Sequence, residues 1–269
     1  MNLYFYFETI SILSFILFSL TCFIRFQSNT DIEKIIYLFN LFFIVCINGF
    51  HYFFVLSYGN NKLTIISSLL ILMICLIFLI LSVLSNQFIR LRVLFIPFFL
   101  ILILFRFFST FSPQNNNYNT ELFDNNFLVL HILASLLSYS LLTISLVSSF
   151  CIFIQDLFLK KMKYNKLIND FLPSIYESEL LTIRFLYITV ILLIISLISG
   201  LFYYIETGSS IANFLNEKVF FSLLSLLVIL LLIFIRAYRG LSGQIIFKMI
   251  LLCYLFISFS YFGIKLLGQ

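Results

Sequence analysis

The sequence predicts an all-α, polytopic integral membrane helix bundle of about eight transmembrane helices, with both termini outside. Three observations carry that expectation. The 269 residues are 62% hydrophobic and only 10% charged, and the mean hydropathy of +1.14 lies far above that of water-soluble globular domains. Apolar runs of about 20 residues, the length that crosses a ~30 Å hydrocarbon core, recur from one end to the other. The charged residues fall mostly between those runs rather than within them.

The first run, residues 3–26, opens MNLYFYFETISILSF with Glu8 ahead of its first basic residue, Arg25. Without a basic leader region it reads as a spanning helix and not as a cleavable signal peptide. Further runs at 35–57 and 63–85 are bounded by polar breaks. The fourth, 93–111, carries Pro97 near its start and Arg106 near its end. Helices are then expected over 127–155, 183–205, 219–235 and 245–267, giving a single membrane domain, 1–269, with no room for a soluble one.

Orientation follows from lysine and arginine, which are retained on the cytoplasmic side of short loops. One set of alternate loops and helix margins holds Arg25, Lys34, Arg90, Arg92, Lys160, Lys161, Lys163, Lys166, Arg236 and Arg239. The opposite set holds Lys62 and Lys218, with Lys265 at the tail. The first set is therefore expected inside, and the segment SPQNNNYNTELFDNN, 112–126, becomes an external loop. The long internal loop, 156–181, reads as a topology signal that also attracts anionic lipid. The formal charge of +5 thus points to membrane lipid and not to nucleic acid.

Several chemistries are absent from the sequence. The five cysteines, Cys22, Cys46, Cys75, Cys151 and Cys253, stand far apart and show no CxxC or zinc-finger spacing, so they read as buried free thiols. No phosphate-binding glycine loop, Ser-His-Asp order or HExxH helix occurs. A non-enzymatic protein is expected.

What remains is a small group of polar residues within the apolar runs. His131 and His51 are the two histidines of the chain. By a rise of 1.5 Å per residue they lie about 6 Å and about 10 Å below the outer surface, on different helices. Ionisable groups are expensive in hydrocarbon, so each marks a candidate site facing the bundle interior. Glu8, Arg106, Glu217 and Lys218 fall near the same surface.

Two neutral imidazoles on separate helices suit axial ligation of haem iron, with Arg106 and Lys218 as cations for the propionates. The alternative is a hydrogen bond from each ring to a neighbouring helix, worth about 0.6 to 2 kcal/mol. Ser135, Ser138, Ser145 and Ser149 follow His131 at helical spacing, either lining its face or simply allowing close packing. Asn48, one turn before His51, is placed to orient that ring. Arg184 and Arg236 read as snorkelling side chains, and Glu177 and Glu179 as partners of a helix dipole.

The ordered series LHILASLLSY (130–139), LPSIYESELL (172–181), SGLFYY (199–204), NEKVFFSLLSLLV (216–228), RGLSGQ (239–244) and SYFGIKLL (260–267) resembles the cytochrome c assembly superfamily of CcsA, CcmC and CcmF. It looks most like the YpjD branch, whose members are eight-span inner membrane proteins. The resemblance covers about 120–267 and, more loosely, the second and third helices. It implies a haem-handling protein of a bacterial cytoplasmic membrane, with haem b as cofactor and other cytochrome c biogenesis membrane proteins as partners. His131 then matches the histidine flanking the external haem site, and His51 one within the bundle.

The sequence also departs from that family. Its haem-presenting segment has the form WGxxWxWDPKE, whereas this chain has no tryptophan, and NEKVFFSLL stands in that place with Asn216 and Lys218. An alternative therefore stays open: an accessory or regulatory subunit of another membrane system, such as ion efflux, that keeps the scaffold without haem.

Overall fold

The computed structural model describes residues 2–22, 31–58, 62–110, 125–160, 172–207 and 217–260. Among these residues there are eight α-helices and no strand. They are α1 (Asn2–Cys22), α2 (Asp31–Tyr58), α3 (Lys62–Leu84), α4 (Asn86–Thr110), α5 (Asn126–Lys160), α6 (Ile175–Glu206), α7 (Glu217–Arg239) and α8 (Gly243–Ser258). Five of them, α2, α3, α5, α6 and α7, are long and apolar enough to cross a membrane, and α1 and α8 hold shorter apolar stretches. Helices suit that setting because each satisfies its backbone polar groups internally.

The chain divides into two compact units, Met1–Tyr118 with Lys166–Pro173, and Asn119–Asn165 with Ser174–Gln269. In the first, α1 packs on α2, α2 on α3 and α3 on α4, and α4 returns to α1. Its core is aromatic. Phe78 and Phe95 lie 4.1 Å apart between centroids, and Phe18 meets Phe99 edge-on at 5.8 Å. Helix α4 continues through Pro97.

In the second unit α5 packs on α6 and α8, and α7 on α6 and α8. The α5–α6 pair is antiparallel and holds its register along its length. Asn125 Nδ2 donates to Glu206 Oε2 at 2.8 Å, Ser148 and Thr182 hydroxyls meet at 2.7 Å, and Ser178 donates to Cys151 Sγ at 3.4 Å. Gly240 ends α7 with φ +66°, a left-handed conformation that favours glycine, and its N–H donates to Arg236 O at 3.1 Å.

Three helix boundaries differ from the sequence expectation. Helix α4 begins at Asn86 and not at 93, so Arg90 and Arg92 are helical residues and not loop residues. Helix α5 runs on to Lys160. Helix α6 begins at Ile175, eight residues before the expected 183, because Ser174 and Glu177 close a capping box there. Residues 175–181 at the end of the expected internal loop are therefore the first two turns of α6. The external loop over 112–124 and the lysines at 161, 163 and 166 lie outside the described residues, as do Arg25 and Lys265.

Large apolar side chains are exposed along the helices: Phe39, Phe50 and Phe53 on α2, Ile191 and Ile198 on α6, and Leu227 and Phe234 on α7. Such a surface is matched to hydrocarbon and not to water. The five cysteines are free thiols, buried at 22, 75, 151 and 253 and half-buried at Cys46.

Candidate functional site

Helices α1 and α2 of the first unit bury several polar residues. His51 is 1% exposed, and Glu8, Ser11 and Asn48 are also buried. Ser11 Oγ donates to Asn48 Oδ1 at 2.9 Å, and Asn48 Nδ2 donates to Ile44 O at 2.9 Å. The Asn48 amide is thus directed to α1 and to its own helix, which corrects the expectation that it orients the His51 ring. Its short side chain reaches the carbonyl one turn back more readily than the residue one turn ahead.

A buried arginine of this unit was read from sequence as a marker of topology. Arg92 is 4% exposed. Its Nε donates to Cys22 O at 2.9 Å and its Nη1 to Ile89 O at 3.2 Å, with the guanidinium 5.7 Å from the centroid of the Tyr37 ring. Cys22 is the last described residue of α1, and the guanidinium lies against its carbonyl. The cation thereby ties α4 to the main chain of α1.

The second unit holds His131 by direct contacts. Its Nδ1 lies 2.7 Å from Ser196 O on α6. A carbonyl oxygen only accepts, so Nδ1 carries the proton and donates it, and in the neutral ring Nε2 keeps the lone pair. Ser196 Oγ stands 3.2 Å from the same nitrogen and donates to His131 O at 3.4 Å. Gly200, one turn further along α6, lies against the ring. Among the described residues, every hydrogen bond of the ring runs through Nδ1. The ring is half-buried.

The serines that follow His131 are buried, but not as a distinct polar face. Helix α5 is buried on every side between 138 and 149. Ser135, Ser138, Ser145 and Ser149 each donate to a carbonyl of their own helix at 2.7 to 3.0 Å. A hydroxyl bonded in that way is internally satisfied and leaves a small, nearly apolar surface. They act as packing residues.

Arg106 lies in α4 with its side chain outside the described residues. Lys218 is exposed in the first turn of α7, and its carbonyl accepts from Ser260 Oγ at 2.9 Å. Asn216 lies outside the described residues, as does the side chain of Glu217. Arg236 is not a snorkelling side chain: its Nε and Nη2 donate to Glu179 Oε1 at 3.2 and 3.0 Å, joining α7 to α6. Glu179 is thereby an ion-pair partner, and Glu177 takes the helix-start role. No group of three or more metal-ligating side chains occurs among the described residues.

Ser196 and Gly200 were not singled out from the sequence. Their four-residue spacing is a small-residue signature that reads as helix packing. Only the α5–α6 register reveals that they face a histidine.

These features define a multi-pass helical membrane protein with an oriented imidazole in its second unit. A family model for cytochrome C assembly protein matches residues 38–269, and the chain belongs to that family. It is also 32% identical over 137 residues to an uncharacterised 28.8 kDa protein in the nifR3-like 5′ region of Azospirillum brasilense. That match covers 51% of this chain and 49% of the relative, so the chain spans about half the length of the curated relative it matches. No solved structure matches.

Proposed function

We propose that this protein binds or positions haem b in a bacterial cytoplasmic membrane, as a non-enzymatic participant in cytochrome c biogenesis. Family membership over residues 38–269 supports the pathway. The observation that carries the haem assignment is the His131 ring, whose Nδ1 proton is committed to Ser196 O at 2.7 Å. An imidazole that donates one nitrogen to a backbone carbonyl presents the other as a ligand, which is the usual state of a metal-bound histidine.

The residues present fit the group. His131 and His51 are the proposed iron contacts, each assigned within its own unit, and the two are the chain's only imidazoles. Lys218, exposed at the start of α7, and Arg106 are the proposed propionate contacts. Bound haem would supply a redox-active iron that takes neutral nitrogen ligands. The protein's share is to hold the ring in one tautomer and surround it with an apolar bundle. Partners are proposed among other membrane proteins of cytochrome c assembly.

The test is the absorption spectrum of detergent-purified protein with and without added haemin. A Soret band is expected, weakened by His51→Ala or His131→Ala and lost when both are changed. Colourless protein that takes up no haemin overturns the assignment. If such protein also co-purifies with an ion transporter, the scaffold serves as an accessory subunit.

A further inference from the structure

We propose that Gly200 is a positioning residue for His131, and that its missing side chain is what sets the tautomer of the ring. A Cβ built at Gly200 would stand 2.9 Å from His131 Nδ1, 3.1 Å from Cε1 and 3.6 Å from Cγ. The first of these is closer than carbon and nitrogen atoms normally approach, and it falls on the one nitrogen that makes the ring's hydrogen bond. Gly200 and Ser196 are four residues apart and so share one face of α6. The glycine opens the space and the carbonyl one turn earlier fills the ring's polar need.

The geometry is tight on its other sides too. Ser196 O also accepts from Ser199 Oγ at 2.9 Å, and Ser196 and Ser199 are each 3% exposed. Asn125 and Glu206, bonded at 2.8 Å near the same ends of α5 and α6, hold the two helices together there. The ring therefore has little freedom to retreat from a methyl group while keeping Nδ1 on Ser196 O. If it moves, the bond that selects the Nδ1–H tautomer is lost, and both nitrogens become alternative proton carriers. Ser196 contributes its main chain to this arrangement, so its side chain is the lesser part.

The tautomer claim stands without a ligand, whereas its consequence for haem rests on the proposed function above. The experiment separates the two. Full-length protein carrying 15N-histidine is prepared haem-free in detergent micelles, and its two imidazoles are assigned by comparison with His51→Ala. The His131 ring is expected to carry its proton on Nδ1. Ser196→Ala should keep that state, because the acceptor is backbone, and Gly200→Ala should show both tautomers. Haemin affinity should fall at least roughly tenfold in Gly200→Ala, the scale of losses when the partner of a ligating histidine is disturbed.

A folding defect is distinguished by a double variant. His131→Ala combined with Gly200→Ala vacates the space the methyl needs, and it should recover thermal stability lost by Gly200→Ala alone. The proposal is overturned by a wild-type ring protonated on Nε2, by an unchanged tautomer in Gly200→Ala, or by a double variant no more stable than Gly200→Ala. Protein that binds no haemin, yet shows the expected tautomers in wild type and Gly200→Ala, would defeat the haem assignment and support the positioning role.

Discussion

Arg92 in the first unit and Arg236 in the second are both guanidinium groups on otherwise apolar helices, yet they are held in opposite ways. Arg92 is nearly sealed and donates to two main-chain carbonyls, Cys22 O on α1 and Ile89 O on its own helix. Arg236 sits in the last turn of α7, about a third exposed, and puts two nitrogens on one carboxylate oxygen of Glu179. The histidines divide in the same sense. His51 is enclosed, whereas His131 is half-buried and oriented through a single nitrogen. In a membrane bundle a cation can thus serve as a buried tie between two helices in one unit and as an edge clamp in the other. The energetic consequences differ because water can replace the partner of only one of them.

The sharpest way to break the contrast is Arg92→Ala. It removes the buried bond that ties α4 to Cys22 O on α1, at a cost of about 2 to 3 kcal/mol. The expected readout is local. In a variant retaining Cys22 and Cys151 as its thiols, maleimide should react with Cys22, which is fully buried in the intact protein, while Cys151 stays protected. Equal labelling of both thiols would mean that the loss is global, and no labelling would mean that Arg92 does not hold α1 in place at Cys22.

A smaller effect is expected at the clamp. Arg236→Ala and Glu179→Gln should each destabilise the second unit by about 1 kcal/mol, since the pair keeps access to solvent and exposed ion pairs contribute little. The double change should cost little more than either single one. Thermal unfolding in detergent checks this at two salt concentrations, with the difference between wild type and variants shrinking at high salt. A loss as large as that of Arg92→Ala would erase the distinction between the two arginines.

The sequence revealed the helices because nothing but a membrane span accounts for apolar runs of that length and number. The helix starts were harder to read, since a cap is a local bargain among polar side chains inside what looks like a loop. Arg92 lies one residue before the expected start of α4, where a basic residue ordinarily marks a cytoplasmic margin. Its burial depends on the packing of α4 against α1, which no pattern within α4 reports. His131 was legible as an intramembrane imidazole. Its tautomer was not, because Ser196 and Gly200 meet it only through the pairing of two helices 65 or more residues apart in the chain.

The smallest expected effect tests the cap that displaced the start of α6. Ser174 Oγ accepts from Glu177 N at 3.2 Å, and Glu177 Oε2 accepts from Ser174 N at 3.0 Å, so two otherwise unpaired donors are satisfied reciprocally. Ser174→Ala removes one of these bonds and should cost about 1 kcal/mol, while Ser174→Asp should cost less by restoring an acceptor. Both residues are exposed to solvent in this pair, so the loss should appear as fraying of the first turn and not as collapse of the unit. Hydrogen exchange read on Glu177 and Ser178 should quicken in Ser174→Ala while exchange near Thr189 is unchanged. Uniform acceleration along α6 would instead mean that the cap holds the whole helix. The α5–α6 register that orients His131 would then depend on a residue at the opposite end of α6 from the ring.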